Sequence, residues 1–314
     1  MASGTPLRPE SRHSRGWLLC EPNVSEGRDE TRMARFAEAV AATAGVQLIH
    51  RSADADHHRM VLAYVGDPEA VVESTAALAA EVYEAVDLRR HRGVHPRLGA
   101  LDVVPFVRGP GCPEAEALAA ARSFGERAAA RGIPVFFYER SATARERASL
   151  PRIRAGQFEG LADKLARPEW RPDLGPPAPH PTAGAVVVGV RAPLVRFNVN
   201  LATRDPGPAR RIAAAIRASG GGLPHVRALG ISLERRGLTQ VSVNLTRYAV
   251  TPIPTVYDRI VEGARAEGVA PAGSEFIGPV PAEALRGLDP RRLDADLARD
   301  QILEFSSTET GASE

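Results

Sequence analysis

The hydrophobic positions along the chain alternate between strand-like and helix-like segments. The apolar run from Trp17 to Ser25 predicts a short buried strand. Turn and cap residues follow it and introduce a helix from about Glu30 to Thr43. The pattern then continues through two strands, a long helix and another strand, at Val46 to Ser52, Met60 to Val65, Asp67 to about Leu88, and Ala100 to Val107. The first part of the chain is therefore predicted to run β, α, β, β, α, β.

The same order recurs in the second part of the chain. The predicted strands are Leu194 to Leu201, Val226 to Leu233, Gln240 to Leu245 and Ser274 to Ile277, and the helices are about Pro208 to Ala218 and about Pro254 to Glu267. Little sequence identity links the two halves, so the repeat is one of pattern. It predicts an α+β protein in which a ferredoxin-like βαββαβ unit occurs twice.

The connection between the halves contains a predicted helix, Pro113 to Ala130, a strand, Val135 to Tyr138, and an Arg-rich segment to about Trp170. The loop Arg171 to Gly184 is rich in proline and glycine, which excludes regular helix or sheet. From its residues, this loop is either a linker or a binding loop. The predicted domains are 16–182 and 183–305, and the polar segments 1–15 and 306–314 are predicted to be disordered tails.

Composition fits a protein with two hydrophobic cores. The chain has 314 residues, 44% of them hydrophobic and 25% charged. The formal net charge of +2 forms no basic block, which argues against non-specific nucleic-acid binding. Sparing use of cysteine, at Cys20 and Cys112, predicts free thiols in a reducing compartment. Without a signal peptide or a membrane-spanning run, the expected location is cytoplasmic, with no membrane partner.

The segment His91 to Ala100, HRGVHPRLGA, is the strongest candidate for chemistry. An imidazole can take and return a proton near neutral pH, and His95 precedes a proline that restricts its backbone direction. His95 either carries a proton or only shapes the turn. For His91 the favoured interpretation is that it caps the C-terminus of the preceding helix.

Three other polar groups have weaker interpretations. The segment DADHHR, from Asp54 to Arg59, is interpreted as a polar hairpin turn beside a binding cleft rather than a metal site. Asn198 and Asn200 alternate along one predicted strand, so they share a face that is either solvated or part of a binding cleft. The triple glycine at 220–222 ends a helix, and no known phosphate-loop motif occurs in the chain.

A series of motifs in order resembles the formimidoyltransferase domain of formimidoyltransferase-cyclodeaminase. The motifs are CEPNVSEGRD, DADHHR, HRGVHPRLGALDVVPF, IRAGQFEGL, PDLGP with HPTAGA, RFNVNL, SGGGLPHVRALG and QVSVNLTRY. The match runs from about Gly16 to Phe305 with compatible spacing. This family resemblance implies two ferredoxin-like subdomains side by side, a folate-binding cleft between them, and a homodimer.

The resemblance also implies a reaction, the transfer of the formimidoyl group of N-formimidoyl-L-glutamate to tetrahydrofolate. From the residues, no metal is expected. His95 matches the family's catalytic histidine. The folate-contacting segment of the family matches ten loop residues, Gly175, Pro176, Pro177, Ala178, Pro179, His180, Pro181, Thr182, Ala183 and Gly184. Asn198 and Asn200 are expected to contact folate or substrate, and Arg97 to bind a substrate carboxylate.

The chain departs from the family pattern beside the expected catalytic histidine. Ser52 stands where some relatives have an acidic residue, and His58 where asparagine is usual. Asp54 or Asp56 is therefore a possible orienter of His95. A cyclodeaminase, if one acts on the product, is expected to be a separate protein.

Alternative functions remain open from the sequence. One is a folate enzyme of the same family acting on 5-formyltetrahydrofolate or on another formimidoyl donor, and another is a non-catalytic folate-binding protein. RNA binding is disfavoured, because the predicted strands lack the aromatic positions on which bases stack.

Overall fold

The computed structural model describes residues 16–305, and within them the chain divides after Arg191 into two compact units. We call these the N-terminal unit and the C-terminal unit. Both are mixtures of α-helix and β-sheet, as the sequence predicts. The predicted disordered tails, 1–15 and 306–314, lie outside the described residues.

The N-terminal unit is built on one mixed sheet with helices packed against it. Its strands are β1 (Leu18–Cys20), β2 (Asn23–Val24), β3 (Val46–Asp54), β4 (Arg59–Gly66), β5 (Leu101–Arg108), β6 (Val135–Phe137) and β7 (Val186–Val190). Its helices are α1 (Glu30–Ala41), α2 (Pro68–Ala85), α3 (Glu114–Ala130), α4 (Leu150–Arg154) and α5 (Leu161–Leu165). Across the sheet the order is β3, β4, β1 with β2, β5, β7, β6.

The first predicted strand is interrupted in the structure. β1 and β2 both lie between β4 and β5 and are antiparallel to them, so they form one interrupted strand. The interruption falls at Glu21 and Pro22. Proline has no backbone N–H for the ladder, and this explains why the strand stops and resumes.

The sequence analysis missed β7. This strand pairs parallel to β5, with Val103 opposite Val187, and also parallel to β6. The N-terminal unit therefore extends to Arg191, and the division predicted after Thr182 lies too early.

The N-terminal core follows the predicted helix faces. Met33, Phe36 and Val40 of α1 are buried, and Asp29 caps this helix by accepting a hydrogen bond from the Arg32 N–H at 3.0 Å.

Both cysteines are buried free thiols, and burial raises the pKa of Cys20 to about 12. A thiol of that pKa is not a nucleophile near neutral pH.

The C-terminal unit contains the second sheet. Its strands are β8 (Val195–Leu201), β9 (Val226–Leu233), β10 (Leu238–Leu245), β11 (Pro271–Phe276), β12 (Val280–Pro281), β13 (Ala295–Asp296) and β14 (Ile302–Leu303), and its helices are α6 (Pro206–Ile216) and α7 (Ile253–Ala266). The main sheet has the order β13, β11, β8, β10, β9, and β12 pairs with β14. After α6 the chain turns at Gly221, whose φ is +81°, so the glycine run ends the helical segment as predicted.

Alternation along β8 separates two kinds of surface. Phe197 and Val199 belong to the apolar core with α6 and α7, whereas Asn198 and Asn200 point to the opposite face. Asn198 lies opposite Ser242 on β10, and Asn200 lies opposite Gln240. The polar face predicted from the sequence therefore continues across two neighbouring strands.

Candidate active site

His95 lies on the segment between α2 and β5, beside the start of β4. Its Nε2 atom is 2.9 Å from Nη1 of Arg59, the first residue of β4. The same Nη1 donates to the side-chain oxygen of Asn23 on β2, at 3.1 Å. Because an arginine has donors and no acceptor, Nε2 of His95 must be the unprotonated nitrogen.

The surroundings of His95 favour its neutral form. Burial is the largest cause of a pKa well below the usual histidine range, and the charges of Arg59 and Arg154 add to it, with a smaller effect from His57. A hydrogen bond with the Pro96 backbone acts in the opposite direction; since proline lacks an N–H, the acceptor is its carbonyl. His95 is thus a neutral imidazole that can accept a proton.

Four histidines form two stacked pairs around this position. The rings of His57 and His95 have centroids 5.9 Å apart, and those of His58 and His91 have centroids 4.1 Å apart. His57 and His58 occupy the hairpin turn between β3 and β4, which confirms the predicted polar turn. The turn brings both histidines against the segment that carries His91 and His95.

His91 is buried and does not cap α2, so the favoured interpretation of this residue is wrong. The helix ends at Ala85, and His91 lies beyond it in a separate turn. Its Nε2 donates to the His58 carbonyl at 2.7 Å, and its Nδ1 accepts from Nε of Arg97 at 3.1 Å. Burial lowers the pKa of His91 to about 4. The ring is a neutral connector between the hairpin turn and Arg97.

We expect His91 to make the fold acid-sensitive. Its pKa is lower in the folded than in the unfolded chain, so the unfolded chain binds more protons between pH 6.5 and 4, and stability is lost as pH falls through that window. His91→Gln, which keeps one donor and one acceptor but does not titrate there, is expected to remove about 2 kcal/mol of this loss. Urea unfolding at several pH values measures it.

A residue that does not titrate provides the control for that experiment. Gln47 is an exposed amide on β3, so Gln47→Ala should leave the pH slope unchanged. An unchanged slope in His91→Gln would exclude His91 as the source.

Glu26 anchors the other side of the hairpin turn. Burial opposes its ionisation, but hydrogen bonds from His58 and from the backbone N–H groups of Arg28 and Asp29 outweigh burial and lower its pKa to about 2. Its Oε1 lies 3.2 Å from Nε2 of His58 and 2.9 Å from the Gly27 N–H. Glu26 therefore remains a carboxylate and ties the hairpin to the N-terminal end of α1.

Asp102 fixes the backbone that follows His95. Its Oδ1 accepts hydrogen bonds from the N–H groups of Leu98 at 2.6 Å and Gly99 at 3.2 Å, and its Oδ2 pairs with the guanidinium of Arg154. The Ser25 hydroxyl donates to the Gly99 carbonyl at 2.7 Å. The main chain beside His95 is held by side chains from three parts of the N-terminal unit.

Asp54 and Asp56 were predicted as possible orienters of His95. Oδ1 of Asp54 accepts from the N–H groups of Asp56 and His57, at 2.8 and 2.7 Å, and so shapes the hairpin turn. Asp56 is buried, and its carbonyl accepts from the Val94 N–H at 3.0 Å. Through these contacts both aspartates stabilise the hairpin turn. That either of them orients His95 directly stays a prediction.

Arg97, the predicted carboxylate binder, is already engaged. It forms a two-pronged ion pair with Glu159, with distances of 2.8 and 2.6 Å. Arg97 is 7% exposed, whereas the Glu159 side chain is 62% exposed. A substrate carboxylate would have to replace this solvent-exposed partner to reach the guanidinium.

The predicted binding loop lines a groove beside that ion pair. The groove has a volume of about 440 Å³, and its lining includes Leu88, Arg89, Arg92, Phe158, Glu159 and the loop residues Pro179, His180 and Pro181. Gly184 ends the loop against the segment after His95: its φ is +69°, and a Cβ there would lie 2.2 Å from the Leu98 carbonyl oxygen. The His180 N–H bonds the Gly184 carbonyl at 2.9 Å and closes the turn.

The predicted amides of the C-terminal unit form a buried cluster with a carboxylate. Asn198 donates to Oε1 of Glu275 at 3.1 Å, and Gln240 donates to the same oxygen at 2.8 Å and to Asn200 at 2.9 Å. Asn198 and Asn200 are 3% and 4% exposed. Their face is therefore not a solvated sheet surface, which was one of the two readings left open by the sequence.

Comparison with known proteins places most of the described region in one family. A model described as the formiminotransferase domain, N-terminal subdomain, matches residues 17–191, and the formiminotransferase domain model matches 196–289. A glutamate formimidoyltransferase of Streptococcus pyogenes is 41% identical over 85% of this chain and 89% of its own length. The chain belongs to the formiminotransferase domain family.

Other relatives include both a longer protein and one of similar length. The formimidoyltransferase-cyclodeaminase of Gallus gallus is 40% identical over 85% of this chain, and the chain spans about half of that protein, 50% of its length. A glutamate formimidoyltransferase of Thermoplasma acidophilum is 38% identical over 88% of its length. The family resemblance stated from the motifs is confirmed.

The described residues of this formiminotransferase-family chain contain neither a metal-holding cluster nor a helix that could cross a membrane. Over residues 16–305, no group of three or more His, Cys, Asp or Glu side chains is arranged to hold a metal ion. In the same range, no helix combines the length and apolar character needed to cross a membrane.

Sequence reasoning missed several residues of this formiminotransferase-family site. Arg59, Glu26, Asp102 and Arg154 received no individual role, although each contacts His95 or holds the segments around it. One signal was available for Asp102: a lone acid in the apolar strand LDVVPF requires a partner.

Proposed function

We propose that the chain transfers the formimidoyl group from N-formimidoyl-L-glutamate to tetrahydrofolate, giving 5-formimidoyltetrahydrofolate and L-glutamate. The similarity to the Streptococcus pyogenes glutamate formimidoyltransferase carries this proposal, because it extends over 89% of that enzyme at 41% identity. The neutral imidazole of His95 supplies the proton acceptor that the reaction needs.

The proposed chemistry uses one base twice. The lone pair of folate N5 attacks the amidine carbon, and the N5 proton passes to Nε2 of His95. The C–N bond to glutamate then breaks, and the imidazolium returns the proton to the leaving nitrogen. A neutral histidine suits the first step, and general acid-base catalysis of this kind contributes ~100- to 10,000-fold.

Each unit is proposed to be a ferredoxin-like subdomain. The strand orders β5, β1 with β2, β4, β3 and β11, β8, β10, β9 support this, because each puts the first strand of a βαββαβ repeat between its last and third strands. A homodimer and a cytoplasmic location are proposed from the family resemblance; light scattering on the purified protein tests the dimer.

Tetrahydrofolate is proposed as co-substrate, and each unit taken by itself contains candidate groups for binding it. The loop Gly175 to Gly184 contributes Pro179, His180 and Pro181 to the 440 Å³ groove, whose Phe158 and proline surfaces suit an aromatic ring. In the C-terminal unit, Glu275, Asn198 and Asn200 supply the acceptor and donor groups that a pterin edge requires. Arg97 would bind a substrate carboxylate that displaces Glu159 from its guanidinium.

We expect Asn198→Ala to raise the KM for tetrahydrofolate about 10-fold with little change in kcat, because one hydrogen bond to the ligand or to Glu275 is lost. Steady-state kinetics at varied folate concentration measures this. Gln47→Ala, which removes an exposed amide on β3, is the control and should leave KM unchanged. An unaltered KM in Asn198→Ala would remove the amide cluster from the folate site.

The function is tested with purified protein, tetrahydrofolate and N-formimidoyl-L-glutamate. Acid conversion of the product to 5,10-methenyltetrahydrofolate gives an absorbance that reports transfer, and release of L-glutamate is followed in parallel. Equal amounts of both products are expected. If product forms only with 5-formyltetrahydrofolate or only with another formimidoyl donor, the chain catalyses a different reaction of the family. Folate binding without turnover of any of these donors would support a non-catalytic binding protein.

A further inference from the structure

Arg59 contacts the nitrogen of His95 that would have to accept the proton. We propose that Arg59 is a positioning residue: it holds His95 as a neutral base with Nε2 unprotonated, and it releases Nε2 when a substrate carboxylate binds its guanidinium. The release step rests on the proposed function, whereas the holding step depends on the geometry of the site alone.

The guanidinium is fixed between two strands. Arg59 begins β4, and Asn23 lies on the neighbouring β2, where it pairs with Val61. A single nitrogen of Arg59 reaches both the Asn23 oxygen at 3.1 Å and Nε2 of His95 at 2.9 Å. Because Arg59 and Asn23 belong to paired strands, the sheet positions the donor that faces the imidazole.

Among the charged groups around His95, Arg59 has the largest effect on the pKa of the ring. The groups that act on the ring are Arg59, Arg154 and His57, and both arginines disfavour a second positive charge. Arg154 is paired with the buried carboxylate of Asp102, which offsets its field. Arg59 is in direct contact with the ring and is the larger of the two charge effects.

The same contact blocks catalysis as long as it lasts. Nε2 has one lone pair, and a lone pair that accepts from Arg59 cannot take a proton from folate N5. A carboxylate competes well for a guanidinium, because it adds an attraction between opposite charges that a neutral imidazole does not offer. The proposed donor carries two carboxylates. Its arrival would both free the lone pair and weaken the positive field, so the base becomes available when the substrate is in place.

NMR of the histidine side chains tests the holding step without any turnover. In the unliganded protein, ¹⁵N shifts of His95, assigned by their loss in His95→Gln, should report an Nδ1–H tautomer that stays neutral below pH 6.5. In Arg59→Gln the pKa of His95 should rise towards its ordinary value. Arg122→Gln, which removes an exposed guanidinium paired with Glu126 on α3, should leave it unchanged. An identical His95 titration in Arg59→Gln and the parent would overturn the proposal.

Added L-glutamate tests the release step. It should raise the pKa of His95 in the parent protein and have no such effect in Arg59→Gln. In an active enzyme, a His95 signal that does not respond to saturating L-glutamate would reject the release step and leave the proposed function intact. If no donor is turned over but the tautomer and the Arg59→Gln titration are as expected, the function fails and the holding step stands.

The pH profile separates this role from a purely structural one. The parent should keep its kcat/KM as pH falls through 6.5, because His95 stays unprotonated. For Arg59→Gln, kcat/KM is expected to decline ~10-fold for each pH unit below the raised pKa. A loss of activity that is the same at every pH would overturn the holding step and leave Arg59 a role in folding or in binding the substrate carboxylate alone.

Discussion

Replacement of His95 by glutamine is expected to lower kcat for formimidoyl transfer by ~100- to 10,000-fold, with a much smaller change in KM for either substrate. Glutamine can still accept the hydrogen bond from Arg59, so the packing of the site is retained. It cannot carry a proton. His95→Ala should lose a comparable amount, and the methenyltetrahydrofolate assay measures both.

The control for this prediction is a histidine of the other unit. Residue 225 has a left-handed backbone conformation, which asparagine tolerates. The kcat of His225→Asn should therefore match that of the parent. If His95→Gln kept its activity while His95→Ala lost it, the imidazole would be an anchor for Arg59 and another group would carry the proton.

Much of the fold was predictable because local periodicity determined it. Helix α1 was expected from about Glu30 to Thr43 and runs Glu30–Ala41, and strand β9 has the predicted bounds Val226–Leu233. The missed strand, β7, reads VVVGV directly after a proline-rich loop. Its place is decided by parallel pairing with β5, a contact across more than eighty residues that no local pattern encodes.

The candidate site was predictable where its residues are neighbours in sequence. The segment from His91 to Ala100 pointed to His95 because imidazoles and guanidiniums meet in one turn. Arg59 is 36 residues away and reaches His95 through the antiparallel pairing of β2 and β4. Register decides such a contact, and a shift by one residue would turn Arg59 to the other face of the sheet.

Asp102 is expected to be the most costly carboxylate to remove from this site. Asp102→Ala should destabilise the N-terminal unit by about 3–5 kcal/mol, because it leaves the guanidinium of Arg154, whose side chain is only 14% exposed, without its partner. The N–H groups of Leu98 and Gly99 would also lose their acceptor. Urea unfolding followed by fluorescence of the two tryptophans measures the loss.

Two further variants separate charge from shape in this prediction. Asp102→Asn keeps the side-chain volume and one acceptor, so we expect a smaller loss of about 1–3 kcal/mol. Glu126→Ala removes an exposed partner of Arg122 and should cost less than about 1 kcal/mol. Equal stability of Asp102→Ala and Glu126→Ala would mean that the 98–99 backbone is held by other contacts. If the losses rank as expected, Asp102 is the residue that holds the Pro-Arg-Leu-Gly segment in place beside His95. Its carboxylate binds the backbone on one side and Arg154 on the other.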